Sequence, residues 1–273
     1  MRKIICISDW AKDDLSFSEF ATAIDGFCKK PKDVRLSRIK SESSTVHTGF
    51  LVEQTIQTIE RLGRPNETMI FVNTDPRSVN DSIEFAQSGA KFLIAKLSSG
   101  IYVCGPNSGY SFAFVKSKIE SVFSYVNFET TSISRSRDIY SRIVAHLADY
   151  MEDEMELEEV HTSTIENKPE NKVVLHIDHF GNIVTSVLME QALENKNYGG
   201  YLRINVGNEV HEARIVRDRF GGSPGEVVIY PGSKGHPDNP YMEIAVWHDP
   251  TNHTALKKHG FQNVTPGDEI SFR

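Results

Sequence analysis

Val173-Val174-Leu175-His176-Ile177-Asp178-His179-Phe180-Gly181-Asn182-Ile183-Val184-Thr185-Ser186-Val187 decides how the second half of the chain is read. Val173 to Leu175 and Ile183 to Val187 are apolar and rich in β-branched residues, which favours strand. Between them a carboxylate, an aromatic ring, a glycine and a carboxamide fall close together at Asp178, Phe180, Gly181 and Asn182. Gly-Asn between two such runs is a hairpin signal. The same tip offers a ring to stack on, a backbone that admits close approach, and an amide that both donates and accepts. It reads as a surface turn or as one wall of a pocket for a flat, polar heterocycle. Outward from it, further strand-like runs stand at 201–206, 209–216, 226–230, 241–247 and 269–272. Gly207-Asn208, Gly221-Gly222 and Pro266-Gly267-Asp268 punctuate them. The pattern predicts a mostly antiparallel sheet or small barrel.

The first half is patterned differently. Residues 3–7 read as a buried strand, and 69–73, 91–97 and 101–104 as further short apolar runs. Val52, Ile56, Ile59 and Leu62 recur at helical spacing over 48–62, which Gly63 and Pro65 end. A second amphipathic helix is predicted over 137–150 from Ile139, Ile143 and Leu147. Strands alternating with helices imply an α/β domain with a Rossmann-like layered sheet. Residues 151–159 are strongly acidic and 162–172 are polar with Pro169, so this stretch reads as a solvated connection. The expected division is an α/β domain over 1–160, a linker over 161–172 and an all-β barrel domain over 173–273.

Length and composition bound the function. A chain of 273 residues can bury a substantial core and is expected to form two domains. Thirty basic against 37 acidic residues give a net charge of −7, which argues against a general nucleic-acid binder. Cys6, Cys28 and Cys104 follow no disulfide framework and read as reduced, mostly buried thiols in a cytoplasmic protein. The apolar part of the N-terminus is too short for a signal peptide, and no run of about 18 apolar residues suggests a membrane span. His176 with His179, and His248 with Asp249 and His253, are the closest histidine groupings, and neither has firm ligand spacing, so no metal is expected.

Several loops carry candidate chemistry. Ser8-Asp9 ends the first strand, where Asp9 could bind a ribose diol or cap the next helix. Thr74-Asp75-Pro76 ends the strand over 69–73, with Arg77 close enough in sequence to hold Asp75 ionised, or with Asp75 serving only a turn. Gly105-Pro106-Asn107-Ser108-Gly109 presents Asn107 and Ser108 or merely terminates a strand. Ser134-Arg135-Ser136-Arg137-Asp138 either caps the helix with Ser and Asp and turns its arginines to solvent, or, since the dipole disfavours cations at a helix start, holds an anion or carboxylate partner there. Gly232-Ser233-Lys234-Gly235 is a turn or a backbone nest for a carboxylate. No G-x-S-x-G elbow and no G-x-G-x-x-G loop occurs.

Taken in order, these pieces resemble the S-adenosyl-L-methionine (SAM) hydroxide adenosyltransferase family, whose relatives include enzymes using fluoride or chloride as the nucleophile. Ser8-Asp9-Trp10-Ala11 stands where the family has Thr/Ser-Asp-Phe-Gly, and Thr74-Asp75-Pro76-Arg77-Ser78-Val79 where it has Val-Asp-Pro-Gly-Val-Gly. Gly105 to Gly109 matches a Gly-Pro-Asp-Asn-Gly loop. Ser134 to Tyr140, followed by Ala145-His146-Leu147, matches Phe-His-Gly-Arg-Asp-Ile-Phe and its helix. Asp178 to Ser186 matches Asp-x-Phe-Gly-Asn-x-x-Thr-Asn. Gly232 to Gly235, Met242 to Val246 and Gly267 to Ile270 match the family's closing motifs, and residues 11–68 match least.

The resemblance implies a homotrimer with sites between subunits, SAM as substrate without further cofactor, and adenosine held by both domains. By position, Asp9 would bind the ribose, Phe180 would stack on adenine and Asn182 would bond its edge. Asp178, Ser233 and Glu243 would hold the methionine end, and Asn107 joins the binding set. The implied reaction is attack of water or hydroxide at ribose C5′, giving adenosine and L-methionine. The catalytic set would be Asp75, Arg77, Arg135 and Ser136. This set departs from the hydrolytic members' Asp-Arg-His. The family arginine falls on Ser82, and its histidine on Arg135. Ser136 stands where hydrolytic members have glycine and the fluoride-using relative has serine. A non-catalytic SAM or adenosine binder on the same scaffold, and an enzyme using another nucleophile such as halide or another nucleoside, are the alternatives.

Overall fold

The computed structural model describes residues 2–74, 90–126, 132, 134–193, 197–206, 209–247, 261 and 263–272. It divides into two compact units, Met1–Lys168 and Pro169–Arg273.

In the first unit the described strands are β1 (Arg2–Ser8), β2 (Val34–Lys40), β3 (Thr68–Asn73), β4 (Phe92–Leu97), β5 (Tyr102–Pro106), β6 (Ile119–Tyr125) and β7 (Leu157–Glu159). They form one sheet in the order β2-β1-β3-β5-β4-β6-β7. β2, β1, β3 and β5 run parallel, whereas β4, β6 and β7 join antiparallel. The described helices are α1 (Asp14–Phe27), α2 (Thr45–Leu62) and α3 (Ser141–Ala148).

Helices cover both faces of the sheet. Ile4, Cys6, Met69, Phe71 and Ile94 pack with Phe20 and Ile24 of α1 and with Ile143, Val144 and Leu147 of α3. Their strand neighbours Ile5, Ile7, Ile70, Val72 and Leu93 pack with Val52, Ile56 and Ile59 of α2. A strand buried on both faces must be apolar at successive positions, which is why β1, β3 and β4 read as continuous apolar runs. The Phe20 and Phe71 rings stack at 5.1 Å, fixing α1 on the sheet.

The helix predicted over 48–62 begins earlier, at Thr45, because the Ser44 side chain caps it by accepting from the His47 amide. The helix predicted over 137–150 is a π turn, Ser136–Tyr140, continued by α3. The acidic stretch is not wholly connection: β7 lies inside it and extends the sheet through β6, with Glu158 and Glu159 exposed at the edge. Ile165 is 1% exposed in the first unit's core, so residues 161–168 belong to that unit. The three cysteines are free and buried, and burial pushes the Cys28 thiol up to about 11.

The second unit holds β8 (Val174–Ile177), β9 (Ile183–Leu188), a short helix α4 (Met189–Leu193), β10 (Tyr201–Val206), β11 (Glu209–Ile215), β12 (Val227–His236), β13 (Asn239–Val246) and β14 (Ile270–Phe272). The order β14-β10-β11-β12-β13-β9-β8 is antiparallel except at β11–β12. Val173 and Glu269 bridge the two ends of the sheet, giving a nearly closed barrel. Val174, Ile183, Ile204, Ile215, Ile229, Met242 and Ile244 fill its interior. Both domains therefore have the expected classes, α/β followed by an all-β barrel. No described helix is long and apolar enough to cross a membrane.

Candidate functional site

The β8–β9 connection is built around one carboxylate. Asp178 Oδ1 accepts from the Phe180 and Asn182 backbone amides, each at 2.9 Å, and Oδ2 accepts from Asn182 Nδ2 at 2.9 Å. The Asp178 amide also donates to the Asn182 carbonyl at 3.0 Å. Gly181 completes the turn at φ +86°, a conformation that disfavours side chains. This wiring pushes Phe180 outward: it is 45% exposed, with the His179 imidazole at 3.6 Å between centroids. The hairpin and the aromatic platform are thus one feature. A rigid turn presents a large ring that folding does not bury.

A second carboxylate organises the adjoining strands. Glu243 on β13 faces Tyr230 of β12 in the pairing register and is 7% exposed. A buried carboxylate needs several donors. Glu243 Oε2 accepts from the Tyr230 hydroxyl at 2.8 Å, and Oε1 from the Ser233 amide at 2.9 Å and more weakly from its hydroxyl at 3.4 Å. Burial first, then the Glu243 charge, push the Tyr230 phenol above its ordinary range, and Asp178 adds to the shift. Tyr230 is therefore a neutral donor to Glu243 at neutral pH. In the segment 232–235 the Ser233 backbone amide holds the Glu243 carboxylate. The segment is a bulged stretch inside β12, with the register shifting between Pro231 and Gly235. A Cβ at Gly232 would lie 2.6 Å from the Glu243 side chain, so only glycine lets that carboxylate reach the Ser233 amide.

In the first unit, polar side chains collect at the carboxyl ends of the parallel strands, where α/β sheets bind ligands. Asp9 follows β1 and caps the next turn, its Oδ1 accepting from the Trp10 amide at 2.8 Å. Ser8 Oγ donates to the Asn73 carbonyl at 2.5 Å. Asn73 Nδ2 donates to Ser136 Oγ at 2.7 Å, bringing the π turn to the end of β3. π turns recur at functional positions because they break helical spacing and re-aim side chains. Arg135 precedes this turn and is half-buried. Arg137 pairs instead with Asp138, and this ion pair holds the Asp138 carboxyl below its ordinary range.

Thr74 Oγ1 contacts Thr48 Oγ1 at 2.6 Å and Ser41 Oγ at 3.2 Å, all three residues being buried. Asn107 is engaged elsewhere, its Nδ2 donating to the Thr164 carbonyl at 2.8 Å. Asp75, Arg77 and Ser82 lie outside the described residues, as do His248, Asp249 and His253. No cluster of three potential metal ligands occurs among the described residues. Sequence reading missed Tyr230 and Asn73. Tyr230 had one available signal, Glu243 itself, because a carboxylate in the apolar run Met242 to Val246 demands donors from the neighbouring strand.

Comparison with known proteins bears chiefly on the second unit. No curated protein matches the chain. Among solved structures, an uncharacterized conserved protein from Thermotoga maritima is 17% identical with a TM-score of 0.73, covering 99% of this chain and 100% of that one. A conserved hypothetical protein from Thermus thermophilus is 17% identical with a TM-score of 0.65 and full coverage of both chains, 100% each. At that identity both likenesses are of fold. Residues 172–265, which contain the Asp178 turn and the Glu243 cluster, match the family model described as the SAM hydroxide adenosyltransferase C-terminal domain. The second unit therefore matches the C-terminal domain of the SAM hydroxide adenosyltransferase family.

Proposed function

We propose that the protein hydrolyses SAM to adenosine and L-methionine. The observation that most supports this reading is the outward Phe180 ring, held on a turn whose donors are tied to Asp178, within a domain of this family. Adenine is flat, and its face would lie on that ring. The Asn182 amide would meet the purine edge, Asp9 the ribose hydroxyls, and Asp178, Ser233 and Glu243 the cationic end of the methionine. SAM is consumed as a substrate, so the reaction needs no further cofactor.

In the reaction a water oxygen forms a bond to C5′ as the C5′–S bond breaks. The electron pair leaves on sulfur, giving neutral methionine thioether, and the water's proton passes to bulk solvent. An anionic nucleophile meeting a sulfonium neutralises charge, so a site that strips water from both gains rate. Asp75 would orient the attacking water. Arg77 and Arg135 would stabilise its hydroxide character, because an arginine cannot act as a base at neutral pH. Ser136 would donate a hydrogen bond to the same oxygen.

Arg135, standing where hydrolytic relatives carry histidine, favours a second reading, a SAM- or adenosine-binding protein without turnover. An enzyme using halide or another nucleophile is the third, since Ser136 matches the fluoride-using relative. Chromatography of protein incubated with SAM separates them. Adenosine and methionine appearing above an Asp75→Asn control is the expected result. No product, together with thermal stabilisation by SAM, would favour the binding protein. Product only on adding halide would favour the third reading.

A further inference from the structure

We propose that Asn73 is a positioning residue that sets the polarity of the Ser136 hydroxyl. The assignment rests on the hydrolase reading. Asn73 closes β3 and is 8% exposed. Its Nδ2, which can only donate, gives a hydrogen bond to Ser136 Oγ at 2.7 Å. A serine hydroxyl has one hydrogen. When its oxygen accepts from an amide, that hydrogen remains available to a third group. Ser136 thereby keeps its hydrogen free to donate, the polarity needed beside a water acquiring hydroxide character.

Asn73 is held on both sides. Its carbonyl accepts from Ser8 Oγ, locking it to the end of β1. Thr74, 1% exposed, is pinned through Thr48 and Ser41. The amide therefore has a fixed origin from which to address the π turn, and Ser136 opens that turn. The residues that follow these anchors in sequence are Asp9 and Asp75, the carboxylates assigned to ribose and water. A mere tie between sheet and turn would need a hydrogen bond of either polarity, whereas positioning a donor needs the polarity observed.

Asn73→Asp tests the difference. A carboxylate of the same size keeps the tie but accepts the Ser136 hydrogen. The expected result is a kcat lower by about 100-fold with the KM for SAM unchanged, as for loss of one donor to a reacting oxygen. Ser136→Ala should fall by a similar factor, and the double variant should fall no further, since one residue acts through the other. Near-full turnover in Asn73→Asp, or losses that multiply in the double variant, would overturn the assignment while leaving the hydrolase reading intact. If Asn73→Asp does not fold, Asn73→Leu serves. It neither donates nor accepts, leaves the Ser136 hydrogen available, and should retain more kcat than Ser136→Ala. A kcat at or below that of Ser136→Ala would overturn the proposal. Absence of turnover in the wild-type protein would overturn the hydrolase reading and this assignment together.

Discussion

Asp178 shows how one side chain can shape a turn and define a surface. Its carboxylate holds the Phe180 and Asn182 amides and the Asn182 side chain, so the cost of exposing Phe180 is met by hydrogen bonds rather than by packing. That separates stability from binding at this position. Phe180→Ala should leave the midpoint of the second unit's thermal transition nearly unchanged, because the residue is 45% exposed. Adenosine affinity should fall by about 5- to 150-fold, since stacking of a base on an aromatic ring is worth about 1–3 kcal/mol. Titration calorimetry beside a thermal melt checks both, and an unchanged Kd would remove Phe180 from the binding surface. The turn was legible because Asp178, Phe180, Gly181 and Asn182 lie within one short stretch and their hydrogen bonding is local. Tyr230 and Asn73 were not, because each finds its partner only through long-range pairing: Tyr230 across the β12–β13 register, Asn73 across from β3 to the π turn.

At the scale of elements, legibility followed burial. β1, β3 and β4, covered on both faces, are continuous apolar runs and read directly. β2 is the edge of its sheet and holds only half-buried and exposed positions, so Val34 to Lys40 carries Arg35, Ser37, Arg38 and Lys40 and lacks such a run. α1 escaped for a related reason. Ser16, Ser18 and Gly26 dilute its helical signal, and only Phe20 and Ile24 are buried. The boundary of α1 depends on Asp13, whose Oδ2 accepts from the Ser16 amide at 2.8 Å and the Ser16 hydroxyl at 2.6 Å. The Ser16 hydroxyl first, and its amide next, hold the Asp13 carboxyl below its ordinary range. A group with a folded pKa below its unfolded one stabilises the native state above the unfolded value. That contribution is lost as pH falls through the depressed folded value. Asp13→Ala should therefore lower the midpoint of the first unit's thermal transition at neutral pH. The gap from wild type should close in acid below the usual aspartate range. A gap that stayed constant down to strongly acidic pH would show that the cap is not what stabilises the start of α1.

On the scale of the molecule, the chain builds two cores of different kinds, each complete within its own unit. The first unit buries a sheet between helices, and the second fills a barrel whose ends meet at Val173 and Glu269. Units with separate cores are expected to unfold in separate steps, for which no single melting temperature is defined. This gives a way to locate ligand binding without turnover. Ile244 is 0% exposed inside the barrel, so Ile244→Ala should cost about 2–5 kcal/mol and lower only the calorimetric transition of the second unit. With that transition identified, adenosine at about 100 times its Kd should raise the stability of the binding unit by about 2.7 kcal/mol. If Phe180 and its turn supply the main contact, the transition lowered by Ile244→Ala is the one adenosine raises, and Phe180→Ala abolishes most of the shift. A shift confined to the other transition would move the principal contact to the carboxyl ends of the parallel strands, where Asp9 would dominate. Adenosine that moved neither transition would remove the nucleoside from the account of both units, and with it the reason for expecting a sulfonium substrate.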